Sequence, residues 1–150
     1  MQCFACKRLH MPDVFSKAKR SDVMSRIRSH RNKDTELRLI SIFREFRVTG
    51  WRRRAKLLGN PDFVFRREKV AVFVDGCFWH GCPRCYRAPT SNENYWNAKH
   101  ARNRLRDKLV TKGLRRLGWR VIRIWEHQLR NPRVALSRIE RARQGREQAM

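Results

Sequence analysis

Lys69-Val-Ala-Val-Phe-Val-Asp-Gly-Cys-Phe-Trp-His-Gly-Cys-Pro-Arg-Cys85 is the stretch that decides the fold. Its first half, 69–75, is β-branched and nearly continuous in apolar residues, the pattern of a strand buried on both faces. Its second half changes to Gly, Pro and thiols. Cys77, Cys82 and Cys85 fall within nine positions, and a polar loop gives ordinary core thiols no reason to cluster. Three thiolates suit tetrahedral zinc, which needs a fourth ligand. His80 inside the loop or His127 further on could supply it, and spacing alone does not choose.

Upstream, Gly59, Asn60 and Pro61 interrupt regular structure before the short apolar run Asp62-Phe-Val-Phe65, a strand with an acid at its start. Before them, 36–47 carries Leu37, Ile40 and Phe43 or Phe46 at helical spacing behind Asp34 or Thr35 as a cap, which predicts a helix with one buried face. The basic stretch 51–56 follows. Downstream, Thr90-Ser-Asn-Glu93 has the spacing of a capping box. Ala98, Ala101, Leu105 and Leu109 then recur every three or four residues, predicting a helix to about residue 117 that Gly118 stops. Trp119-Arg-Val-Ile-Arg-Ile-Trp125 reads as a third strand, with both tryptophans in the core. From Pro132 a strongly basic helix offers Val134, Leu136 and Ile139 for docking. The order αββαβα predicts an α/β domain, a mixed sheet flanked by helices. An arm over 1–32, a core over 33–130 and the helical segment 131–150 are the expected parts.

Charge names the partner class. Thirty-seven Lys and Arg against thirteen Asp and Glu leave +24, and such a surface repels itself unless a polyanion neutralises it. Lys17, Lys19, Arg20, Arg26, Arg28 and Arg31 make the first 32 residues an arm that orders on DNA. Met11 offers a second start, so 1–10, with Cys3 and Cys6, reads as an upstream extension. No apolar run reaches the ~18 residues of a membrane span, and the N-terminus lacks a signal peptide. The chain is therefore expected to be cytoplasmic, where five cysteines favour metal over disulfides. Composition alone also fits a ribosomal-type RNA binder.

Asp62 and Asp75, at the ends of neighbouring strands, are candidate ligands for Mg²⁺, which prefers oxygen. Taken alone the pair is weak, because aspartates often bound strands as turn residues. Glu36 is a third candidate carboxylate, although acids near a helix start commonly serve the dipole. Histidine exchanges protons near neutrality, so His80 is a candidate base unless it ligates zinc. Phe78, Trp79 and Trp96 lie close to these groups, and large apolar side chains can wedge between base pairs, though aromatics are more often core.

Asn60-Pro-Asp-Phe-Val64, Val72-Phe-Val-Asp-Gly-Cys-Phe-Trp-His80 and Leu117-Gly-Trp-Arg-Val-Ile-Arg-Ile-Trp-Glu-His127 resemble the three signature blocks of very short patch (Vsr-type) mismatch-repair endonucleases. The opening 13–28, Tyr95-Trp96, Asn103 and Asp107 match as well, so the resemblance runs in order over about residues 11–130. It implies a restriction-endonuclease-like fold and a nick on the thymine strand at a T:G mismatch in double-stranded DNA, leaving a 5′-phosphate. It also implies Mg²⁺ at Asp62 and the carbonyl near Val74, water activation by His80, and Glu36 and the arm organising the site. Phe78, Trp79 and Trp96 would form the wedge, and Cys77, Cys82, Cys85 and His127 would hold structural Zn²⁺. The expected enzyme is a monomer that works without a membrane, alongside other repair proteins.

Two departures from the family pattern bear on the chemistry. Val74-Asp75 stands where the family has Thr-His, making Asp75 a candidate metal ligand, and His127 replaces a cysteine. Two alternatives accompany this reading: a PD-(D/E)xK-like nuclease of other specificity, and a noncatalytic zinc-stabilised nucleic-acid-binding module.

Overall fold

The computed structural model describes residues 33–89 and 92–145. A turn of π-helix, Lys33–Leu37, runs into α1, Arg38–Glu45; β1 (Trp51–Arg53), β2 (Phe63–Phe65) and β3 (Val70–Asp75) follow. The thiol-rich loop leads to the long α2 (Glu93–Arg116), then β4 (Arg120–Trp125), a 3₁₀ turn (Glu126–Arg130) and α3 (Pro132–Gln144). The strands form one sheet in the order β1-β2-β3-β4. The first three are antiparallel, whereas β3 and β4 run parallel, which requires the long crossover that α2 supplies. The mixed sheet expected from the sequence is present.

Side chains alternate across each strand, so the sheet has two covered faces. Phe63, Phe65, Val70, Val72, Ile122 and Ile124 pack with Leu39, Ile42 and Phe43 of α1 and Ala135, Leu136 and Ile139 of α3. On the other face Val64, Ala71 and Phe73 pack with Leu114 and Val110 of α2. The result is a helix–sheet–helix sandwich in which β3 is buried on both sides, as its continuous apolar run predicts. The C-terminal helix is thus part of the core: of the three apolar residues expected to dock, Leu136 and Ile139 are buried and Val134 is 40 % exposed.

The structure corrects several local expectations. β1 was hidden in the basic stretch 51–56: Trp51 packs on Phe43 and Phe63, but the charged Arg52 and Arg53 masked a strand. Phe43 is buried and Phe46 is 43 % exposed, because α1 ends at Glu45. Trp119 and Trp125 are half-buried at the sheet edge, not enclosed. The α2 stripe of Ala98, Ala101, Leu105 and Leu109 faces outward, with Leu105 59 % and Leu109 61 % exposed. The inner face is instead Trp96, His100, Asn103, Asp107, Val110 and Leu114, a stripe whose polar members hide it from a hydrophobic count. Of the expected capping box, Thr90 and Ser91 lie outside the described residues, and Asn92 precedes the helix in a left-handed conformation without a side-chain cap.

Two glycines mark a close approach and a left-handed turn. Gly113, inside α2, lets Leu58 approach so closely that a Cβ would lie 2.3 Å from its Cδ2. Gly118 ends the helix run with φ +77°, a value L side chains rarely adopt.

Replacing fully buried Ile124 with alanine is expected to cost about 2–5 kcal/mol in urea unfolding. Leu109→Gln, on the outer stripe, is expected to stay within about 0.5 kcal/mol of the parent.

Candidate active site and metal centre

β3 and β4 end level with each other, Asp75 opposite Trp125. Two residues beyond these ends lie Cys77 and His127. Parallel pairing therefore sets a thiol and an imidazole side by side, and their Sγ and Nδ1 are 3.2 Å apart. The loop folds back so that Cys82 and Cys85 join them, with all four ligand atoms within 4.8 Å of one another. A further tie comes from Glu126, whose Oε2 accepts the Cys77 backbone N–H at 3.0 Å. Three thiols and an imidazole match the donor set of a closed tetrahedral zinc site. His127, not His80, is the histidine of this cluster.

The thiols differ electrostatically. Burial and the neighbouring Cys82 push the Cys77 thiol up to about 12. Burial acts on Cys82 in the same sense, but backbone N–H groups of Cys85 and Arg84 and the adjacent thiols overcome it and lower its pKa.

His80 belongs to a second constellation. Its Nδ1 lies 2.6 Å from Oδ2 of Asp107, which α2 presents from its inner face. Asp107 was noted in the sequence only as part of a resemblance; its place on a polar helix face gave no independent signal. Burial acts to raise the Asp107 carboxyl, but the hydrogen bond to His80 and the charges of His80 and Arg123 prevail and hold it below the usual carboxylate value. Arg123, which the sequence reading passed over as a strand residue, binds Asp75 through Nε and Nη2 at 2.7 and 2.9 Å. Both Asp75 oxygens therefore face a guanidinium, and the carboxylate is only 3 % exposed.

Asp62 stands just before β2 and accepts the Val74 backbone N–H at 2.7 Å. That bond ties it to the end of β3. Asp62 and Glu36 line one cleft of about 360 Å³ with Arg53 and Lys56, and Glu36 is ion-paired to Arg53. Carboxylates 26 positions apart in the chain thus share a cleft, which no sequence period announces. Lys17, Lys19, Arg20, Arg26 and Arg28 lie outside the described residues.

The aromatics form one cluster. Phe78 stands 5.2 Å from Trp79 and 5.0 Å from Trp96, centroid to centroid, with edge-to-face tilts. Consecutive residues of a strand would diverge; Phe78 and Trp79 meet because the chain turns here. Trp96 is buried while Phe78 and Trp79 are partly open. The Lys99 ammonium lies 5.1 Å from the Trp79 ring centre, and Asn103 donates to the Trp79 carbonyl at 2.8 Å. His100, 4 % exposed, sits behind the cluster, and burial lowers its pKa.

A carboxyl with a depressed folded pKa adds stability above its unfolded value, here 3.8, and loses it as pH falls through the folded value. The thermal midpoint of the parent, followed from neutral pH down to about pH 2, should therefore show an acid-side loss that is smaller in Asp107→Asn.

A family model described as DNA mismatch endonuclease Vsr matches residues 12–87. The type II nicking enzyme V.NmeAIP of Neisseria meningitidis is 36 % identical over 134 residues, covering 87 % of this chain and 94 % of that protein. DNA mismatch endonuclease Vsr of Escherichia coli K12 is 38 % identical over 126 residues, 80 % of this chain and 77 % of that enzyme. The type II nicking enzyme V.NaeI of Lentzea aerocolonigenes is 56 % identical over 69 residues, a match to 46 % of this chain and 42 % of the relative. With half its length matched by the family model and relatives aligned along most of both chains, the protein belongs to the Vsr family of DNA endonucleases.

Proposed function

We propose that this chain nicks one strand of duplex DNA at a T:G mismatch, on the thymine side. The observation that carries the reading is the junction at the end of β3. Asp62 is bonded to the Val74 backbone there, and the His80–Asp107 pair stands beside Asp75. Asp107 takes Nδ1, which leaves Nε2 as the nitrogen that accepts a proton from an attacking water. Asp62 and the Val74 carbonyl are the proposed holders of Mg²⁺, a fit that rests on their hard oxygen donors and on the bond that ties Asp62 to the Val74 backbone. When bound, the cation stabilises charge on the scissile phosphate. Glu36 steadies Arg53 at the same cleft, and the basic arm over 1–32 grips the backbone. Phe78 and Trp79, backed by Trp96, are the proposed wedge, since their partly open rings adjoin the proton-transfer pair. Cys77, Cys82, Cys85 and His127 are assigned to structural zinc.

A second reading has its own support. Several relatives are called type II nicking enzymes, and on this reading flanking sequence sets the target as much as the mismatch does. No helix among the described residues is long and apolar enough to cross a membrane.

Labelled duplexes identical except for one T:G or T:A pair, incubated with Mg²⁺, test the assignment. Selective nicking of the thymine strand, lost by at least about a hundredfold in Asp62→Ala, is expected. Equal nicking of both duplexes would move the assignment to the second reading, and binding without a cut would leave a noncatalytic module. Elemental analysis should find zinc in the purified protein. A strong chelator should lower its unfolding temperature, more readily at acid pH, because protons compete for the thiolates.

A further inference from the structure

At the junction the Arg123 guanidinium ion-pairs with two carboxylates, buried Asp75 and half-buried Asp107. It projects from β4 on the α2 face, opposite Phe73 in the register, and its guanidinium carbon lies 4.8 Å from that ring's centre. Its Nε and Nη2 fork onto Asp75, and Nη2 also reaches Oδ1 of Asp107 at 2.7 Å. Asp107 turns its other oxygen, Oδ2, to His80. The remaining nitrogen, Nη1, is buried with no hydrogen-bond partner among the described residues, a cost that is tolerated where orientation matters more than complete pairing. Asp75 itself is 3.7 Å from His80 Nδ1, too far for a hydrogen bond.

We propose that Arg123, anchored by Asp75, is a positioning residue that holds Asp107 against Nδ1 of His80, so that Asp75 serves the proton-transfer pair through Arg123 and is not a metal ligand. Without the guanidinium, Asp75 and Asp107 would face one another as like charges in a poorly solvated site, and Asp107 would be driven off the imidazole. Lysine could neutralise them but could not fork, because an ammonium is a point charge without a planar pair of donors. The assignment rests on the nicking activity proposed above for its kinetic consequence, but its geometric content does not.

Two measurements on the full-length protein therefore go together. In proton NMR of DNA-free protein, the His80 Nδ1–H held by Asp107 should give a downfield resonance in the parent that is lost in Arg123→Met and broadened in Arg123→Lys. In single-turnover nicking, Arg123→Lys should be about 10- to 100-fold slower, with DNA affinity within about twofold of the parent. Asp75→Asn should also be slower, yet half-saturate at the parent's Mg²⁺ concentration, whereas Asp62→Asn should need more. A persistent resonance in both Arg123 variants, or parental nicking by Arg123→Lys, would overturn the proposal. So would an Mg²⁺ requirement raised as far by Asp75→Asn as by Asp62→Asn. If the parent does not nick, the activity reading fails while the resonance still decides the clamp. If Arg123→Met does not fold, Arg123→Lys carries the test.

Discussion

The parallel pairing of β3 with β4 is the constraint on which the rest of the structure depends. Because Asp75 lies opposite Trp125, the two chains leave the sheet at one level and in one direction. Whatever follows each strand must meet its counterpart: Cys77 meets His127, and Glu126 reaches the Cys77 amide. An antiparallel pair would have sent the thiol loop and the 3₁₀ turn to opposite ends. The requirement for a long crossover also explains why α2 exists and why its inner face passes over the strand ends, where open α/β sheets commonly hold their sites.

The thiol cluster and the His80–Asp107 pair draw on one loop, which supplies three thiols to the first and the imidazole to the second. Cys77 and Cys82 bracket His80, so closing the thiol cluster fixes the span from which the imidazole projects toward Asp107. A metal in that cluster would stiffen a segment that has few apolar residues to bury, in a chain whose charge of +24 opposes compaction. On the other side, the hydrogen bond from Val74 to Asp62 joins the end of β3 to the start of β2. Asp62 is thereby held to the strand end from which the loop bearing His80 departs.

The helix that completes the site is unusual in what it buries. α2 turns Trp96, His100, Asn103 and Asp107 inward and leaves Leu105 and Leu109 in solvent. Only its last turns, with Val110 and Leu114, pack as an ordinary amphipathic helix. Its first half is committed to aromatic contacts and to ionic contacts with the loop and β4. This division of labour is why a hydrophobic count finds the helix and misassigns its faces.

By itself the sequence determined whatever depends on local pattern and donor chemistry. The continuous apolar run over 69–75 marked the doubly covered strand, the spacing of Cys77, Cys82 and Cys85 marked a thiol cluster, Gly118 marked a helix end, and the excess of Lys and Arg marked a polyanion as partner. Family blocks carried Asp62 and His80 further than their residue types could. Spacing left His80 and His127 both open as partner of the thiols and only the family resemblance named His127; the tertiary structure brings His127 there, puts Glu36 beside Asp62, and joins Asp75 to Arg123. It also revealed β1, whose strand face is one tryptophan among arginines. The physical reason is common to all of these: each depends on strand register or on which face of a helix turns inward, and both are fixed by packing between segments distant in the chain.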